Sequence, residues 1–310
     1  MRCTSTLTLG LVLALFGACA KPEPPLPSPG ATPAPAALGT VEVTNYPLQY
    51  VVERLAAPLV VVGFRAARTA DPAHWRPTAE DVIAMQAADL IVVNGASYES
   101  WMKDVSLPAS RVVDSTGALG DRLIAVAGKT THSHGLQGEH EHQGTAFTTW
   151  LDPTLLLEQV RSVRAALGHR WPEHDDLFGE RMVALEADLA ALDQELKEAT
   201  SNAAGHRVVF SHPVYQYLQR RYDMVGTNLH WEPGEAPDEA SWSELDHLLG
   251  HVAASVMIWE AVPLAETVDR LAERGVECVV VDPCATPPGD GGLLEVMHEN
   301  AARLRRAFGG

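Results

Sequence analysis

From residue 41 onward, apolar residues alternate between short continuous runs and stretches with helical spacing. The runs "TVEVT", "LVVVGF" and "ADLIVVNG", the last ending at Gly95, read as buried strands. Between the first two, "NYPLQYVVERLAA" repeats its apolar residues at a helical period. Between the second and third, "RPTAEDVIAMQAA" begins a helix, with Thr78 as N-cap and Asp81 as its capping-box partner. Asp152 and Pro153 repeat that punctuation before "TLLLEQVRSVRAALG". Strands and helices in this alternation predict an α/β fold.

Residues 173–200 carry the longest unbroken helical pattern, with apolar positions at Leu177, Met182, Leu185, Leu189, Leu192 and Leu196. At 1.5 Å per residue such a helix runs about 40 Å, enough to link two lobes as a rigid spine. After it the alternation restarts: "HRVVFS", "SVMIWE" and "VECVVVDP" as strands, "PVYQYLQRRY" and "PLAETVDRLAERG" as helices, and a terminal helix from Leu293 to Phe308. The expectation is two similar lobes, each a mostly parallel sheet flanked by helices. Residues 41–168 form the N-terminal lobe with a His-rich loop at 131–143, 169–204 the linking helix, and 205–310 the C-terminal lobe.

The first 40 residues read differently. Residues 1–18 have the form of a secretory leader: Arg2, then the apolar "LTLGLVLALF", too short to span a bilayer as a permanent helix. Phe16-Gly17-Ala18-Cys19 resembles a bacterial lipobox, which makes Cys19 the expected lipidation site and new N-terminus, with a plain cleaved signal as the alternative. Residues 19–40 are so rich in Pro and Ala that they suit a semi-rigid tether, with the lipid as the only membrane contact. This predicts export to the cell envelope, in the periplasm or on the outer face of the membrane.

Of the four cysteines, Cys3 leaves with the leader and Cys19 takes lipid. Cys278 and Cys284 flank the extended "VVVDP", which puts their α-carbons roughly 20 Å apart, beyond disulfide reach. The formal net charge of -17 argues against nucleic acid and suits small cations or soluble proteins as partners.

The chemistry-bearing residues are histidines and acids. His212 and Asp282 each end a strand and precede a proline, and ligand sites of open α/β sheets lie beyond the carboxyl ends of strands. Either alone is ordinary cap or turn chemistry. Together they make half of a divalent-metal site, since imidazole and carboxylate suit zinc or manganese. In "THSHGLQGEHEH", His132 pairs with His134 and His140 with His142 at i, i+2, a spacing that chelates loosely without a rigid frame. His74 lies in a Pro-bounded loop, where a lone His is more often structural. Trp75, Trp101, Trp150, Trp231, Trp242 and Trp259 read as core and lobe-interface packing. No nucleophile elbow, phosphate loop, H-E-x-x-H or C-x-x-C occurs, and Glu232 and Glu260 are only nominal bases for a metal hydrolase. The chain is therefore not expected to be an enzyme.

In order along the chain, "ADPAHWRPT", the His-rich loop, "TTWLDP", "FSHPVYQYLQRRY" and "VVVDP" resemble the zinc- and manganese-binding solute-binding lipoproteins of bacterial ABC transporters, the cluster A-I family. The resemblance covers residues 41–310. It implies two lobes joined by the long helix, a metal ion held in the cleft between them, an ABC permease as partner, and action as a monomer. The family's third and fourth ligand positions fall on His212 and Asp282. Its first falls on Ala73, one residue before His74, and its second on Thr148, a poor zinc ligand. A replacement imidazole is expected from His140 or His142, with Gly144 providing a sharp return, while His132 and His134 recruit ions. Capture of zinc first and manganese second follows; the rival is a lipoprotein that buffers or chaperones metal without a permease, with a metal-dependent hydrolase third.

Overall fold

The computed structural model describes residues 37–309 apart from residue 70, residues 134–138 and residues 204–205, and describes the backbone but not the side chains of the remaining residues between 127 and 143. The leader at 1–18, Cys19, most of the tether and His134 lie outside the described residues, as do the side chains of His132, His140 and His142. No helix among the described residues is long and apolar enough to cross a membrane.

Two four-stranded parallel sheets organise the chain. The first contains β1 (Gly39–Val43), β2 (Val60–Phe64), β3 (Leu90–Val93) and β4 (Val112–Asp114), in the order β2-β1-β3-β4. An antiparallel hairpin of β5 (Ala125–Ser133) and β6 (Glu139–Thr145) stands apart from it. The second sheet contains β7 (Arg207–Phe210), β8 (Gly226–Asn228), β9 (Ala254–Trp259) and β10 (Glu277–Val280), in the order β10-β9-β7-β8. Read from the β8 edge, this repeats the order of the first sheet. Strands covered on both faces are Val- and Ile-rich without polar alternation, as in the fully buried Leu90–Val93.

Helices fill the crossovers: α1 (Tyr46–Ala56), α2 (Ala79–Ala87), α3 (Pro153–Arg170), α4 (Asp175–Ala199), α5 (Gln216–Arg221), α6 (Glu239–His251), α7 (Ala265–Ala272) and α8 (Leu293–Ala307). Their starts follow side-chain chemistry. Asn45 caps α1, Thr78 and Asp81 form the expected capping box on α2, and Asp152 caps α3 by accepting from the Thr154 N–H. The helix α6 was not anticipated, although Asp238 caps it and Trp242 and Leu245 mark its inner face.

At 25 residues, α4 extends about 37 Å. Its buried stripe is Phe178, Leu185, Leu189, Leu192 and Leu196, so Phe178 takes the inward place expected of Leu177. It packs on α1, α3 and α8, and its leucines join one apolar cluster that includes Val41 and Val92 of the first sheet and Val208 and Ile258 of the second. All six named tryptophans are buried. Cys278 and Cys284 are both free thiols, as their separation required.

Hydrogen bonds also join the two halves. The Trp150 indole donates to the Pro283 carbonyl at 2.7 Å and the Tyr217 hydroxyl to the Ala146 carbonyl at 2.8 Å. The Tyr46 N–H donates to the Ala285 carbonyl at 3.1 Å, and the Thr148 hydroxyl donates to the Val214 carbonyl.

Candidate metal centre

A cleft of about 1210 Å³ opens where the carboxyl ends of both sheets face each other. Its C-terminal wall takes one side chain from beyond each strand of the second sheet. His212 follows β7, Glu232 follows β8, Glu260 follows β9 and Asp282 follows β10. Because the strand order reverses between β7 and β9, His212 and Glu260 flank the switch point, where parallel sheets leave a crevice between diverging crossovers.

His212 is the most enclosed of the four, at 7% exposure. Its Nδ1 lies 3.3 Å from Glu232 Oε1 and 3.8 Å from Glu260 Oε1. A second imidazole, His230, meets the His212 ring edge-on at 5.8 Å between centroids. Desolvation holds His230, which is not among the residues lining the cleft, below the ordinary imidazole pKa.

Asp282 is fixed by its surroundings. Its backbone N–H donates to Asn300 Oδ1 at 3.0 Å, Asn300 Nδ2 donates back to its carbonyl at 2.7 Å, and its own Oδ1 accepts the Cys284 N–H at 2.7 Å. Burial raises its pKa, opposed by the Cys284 N–H and by the Arg303 charge. A carboxyl desolvated in this way gains from a cation beside it.

The opposite wall carries His74 and Thr148. His74 closes the short turn Pro72–His74, which Asp71 caps, and its Nδ1 lies 2.6 Å from Asp71 Oδ2. A carboxylate behind one ring nitrogen fixes the tautomer and aims the other, an arrangement common behind metal-bound imidazoles. The buried Thr148 commits its hydroxyl to the Val214 carbonyl, in keeping with its unsuitability as a ligand.

The His-rich segment corrects one expectation. Residues 131–133 and 139–143 are not loop but strand, in a register that sets His132 opposite His140 and Thr130 opposite His142. Gly144 stands opposite Val126 inside β6 and makes no sharp return. A β-carbon there would sit 2.3 Å from Ser97 Oγ, so close packing against Ser97 accounts for the glycine.

Glu232 and Glu260, read from the sequence only as nominal bases, line the same cleft wall, and the strand-end reading that picked out His212 and Asp282 applies also to Glu260, which directly follows β9. Among the described residues, no three imidazole, carboxylate or thiol groups are already gathered closely enough to hold an ion as they stand.

Comparison with known proteins agrees with this architecture. A family model described as ZnuA, zinc-uptake complex component A, periplasmic, matches residues 41–307. The zinc-binding lipoprotein AdcA of Streptococcus pneumoniae is 25% identical over 280 residues, covering 86% of this chain and 55% of AdcA. The chain thus spans about half the length of that relative. The high-affinity zinc uptake system protein ZnuA of Bacillus subtilis is 23% identical over 283 residues, 86% of each. Among solved structures, the metal-dependent lipoprotein YcdH of Bacillus subtilis superposes with a TM-score of 0.74 at 20% identity, covering 86% of this chain and 98% of YcdH. The Zn(II)-bound ZnuA-like domain of Streptococcus pneumoniae AdcA gives 0.73 at 19%, with the same two coverages. At these identities the superpositions speak to the fold.

Proposed function

Because the chain belongs to the ZnuA family of periplasmic zinc-uptake components, we propose that it captures a divalent transition metal outside the cytoplasmic membrane, zinc first and manganese second, and delivers it to an ABC permease. No bond is made or broken in the cargo. The observation that carries this is the convergence of His212 and Asp282, from separate strand ends, on one cleft faced by His74. The curated relatives AdcA and ZnuA are named as zinc-binding and zinc-uptake proteins, which supports the choice of ion.

In this reading His212, Asp282 and His74 hold the ion, and the hairpin histidines His132, His134, His140 and His142 gather ions at its rim or add a nitrogen. Lipid on Cys19 and the Pro-rich tether keep the protein at the envelope, where it acts as a monomer within the permease's reach. The lobes are residues 41–168 and 205–310, with 169–204 as the link.

Calorimetric zinc titration of the full chain tests this. One tight site and weaker further uptake are expected, with His212→Ala and Asp282→Ala each abolishing most of the tight phase while apo folding is kept. Weak, equivalent sites in the parent, or two variants that bind like it, would refute the assignment.

A further inference from the structure

We infer that Glu232 and Glu260 are direct ligands of the cargo ion, adding carboxylate oxygens beside the imidazole of His212. The inference deepens the metal-capture reading and rests on it. It starts from distances. A charge-assisted hydrogen bond between imidazolium and carboxylate closes to about 2.7–2.9 Å. The His212 Nδ1 to Glu232 Oε1 separation is 3.3 Å. Bonds of about 2.0–2.1 Å to a tetrahedral zinc put neighbouring donors about 3.3–3.4 Å apart. Nitrogen and oxygen thus stand at the spacing of two ligands around one ion. Glu260 Oε1, at 3.8 Å from the same nitrogen, needs to move in by only a few tenths of an ångström.

Position in the fold argues the same way. Glu260 directly follows β9, much as His212 and Asp282 stand two residues beyond β7 and β10, and Glu232, four residues beyond β8, is brought to the same cleft wall. Each is only about a quarter exposed. Two acids held together in a partly closed cleft repel one another, and a divalent ion removes that penalty. The resulting donor set is richer in oxygen than an imidazole-dominated one. Oxygen ligands suit manganese as well as zinc, so the margin between the two ions narrows.

The test is zinc competition against a chromophoric chelator, using the full chain with Glu232→Gln, Glu260→Gln and, as control, Glu235→Gln, which removes a charge from the same cleft wall. Loss of either ligand should weaken zinc binding by about tenfold or more. The control should stay within about twofold, because an exposed charge acting at a distance is screened. Cobalt(II) loaded in place of zinc reports the donors directly: its visible absorption should change in both ligand variants and not in the control. Thermal unfolding of the metal-free variants separates lost ligation from lost folding. If the parent binds zinc and both variants match its affinity and cobalt spectrum, this inference falls and the metal-capture reading stands. A parent that takes up no zinc overturns both.

Discussion

Glu99 should give the folded protein a pH dependence opposite to that expected of a carboxylate, and replacing it by Gln should remove it. Glu99 is buried beyond the end of β3, where Oε1 accepts from the Thr44 hydroxyl and the Asn94 N–H, each at 2.6 Å, and Oε2 from the Gly95 N–H at 3.0 Å. Burial nevertheless pushes its pKa from 4.5 to about 7, outweighing those three donors. The folded protein therefore holds this proton more tightly than the unfolded chain does. Its contribution to stability is complete below the unfolded value of 4.5 and is lost as pH rises through about 7. The full shift is worth about 3 kcal/mol, of which about 2.5 kcal/mol is gained between pH 8 and pH 5. Urea unfolding of metal-free parent and variant at both pH values isolates the effect, since every other titrating group cancels in the difference. The parent should gain about 2.5 kcal/mol on the variant as pH falls. A flat difference, or one that favours the parent at high pH, would show that the three donors keep Glu99 ionised and that desolvation is the weaker force.

Zinc affinity should fall as pH drops through the imidazole range, because a ligating His must be neutral; a pH-independent dissociation constant between pH 5 and pH 7.5, values spanning about the ordinary histidine pKa, would exclude imidazole from the tight site. Deleting residues 131–143 should weaken that site if a hairpin histidine contributes to it, whereas changing only His132 and His134 to Ala should slow loading, seen by stopped-flow, and spare the equilibrium constant. An unchanged constant after the full deletion would reduce the hairpin to an accessory.

The parallel strands were legible because burial on both faces writes itself as uninterrupted Val and Ile runs, and the caps because Thr78 and Asp152 have few other uses at those positions. The three-residue strands β4 and β8 escaped because "VVD" and "GTN" are too short to show a period. The hairpin escaped for another reason. Its sequence "EHEHQGT" carries no apolar alternation, so nothing in it reads as a half-buried strand. That His212 and Asp282 line the cleft was legible through their strand ends and the prolines that follow them. Glu232 also precedes a proline, Pro233, but the strand before it is too short to recognise, and Glu260 is followed by Ala261. Their approach to His212 is a product of sheet order, which joins β7, β8 and β9 across 53 residues of chain and leaves no local trace.

The hydrogen bonds that cross from one half to the other, at Trp150, Tyr217, Tyr46 and Thr148, make the cleft a mouth of nearly fixed gauge. The Ile124 N–H to the Tyr217 hydroxyl and the Arg220 guanidinium to the Arg122 carbonyl cross as well, and at about 1 kcal/mol each, parting these six leaves a gaping form at a population on the order of a few in a hundred thousand. Cargo exchange then runs on the clock of coordination chemistry, as ligands let go one at a time, and not on the swing of a gate. Thickening the solvent should leave the zinc off-rate untouched, while a small competing chelator that can enter the mouth should hasten it. If, as proposed, an ABC permease empties this protein, it must reach in and compete for the ion, or spend its own binding energy to pull the stitches.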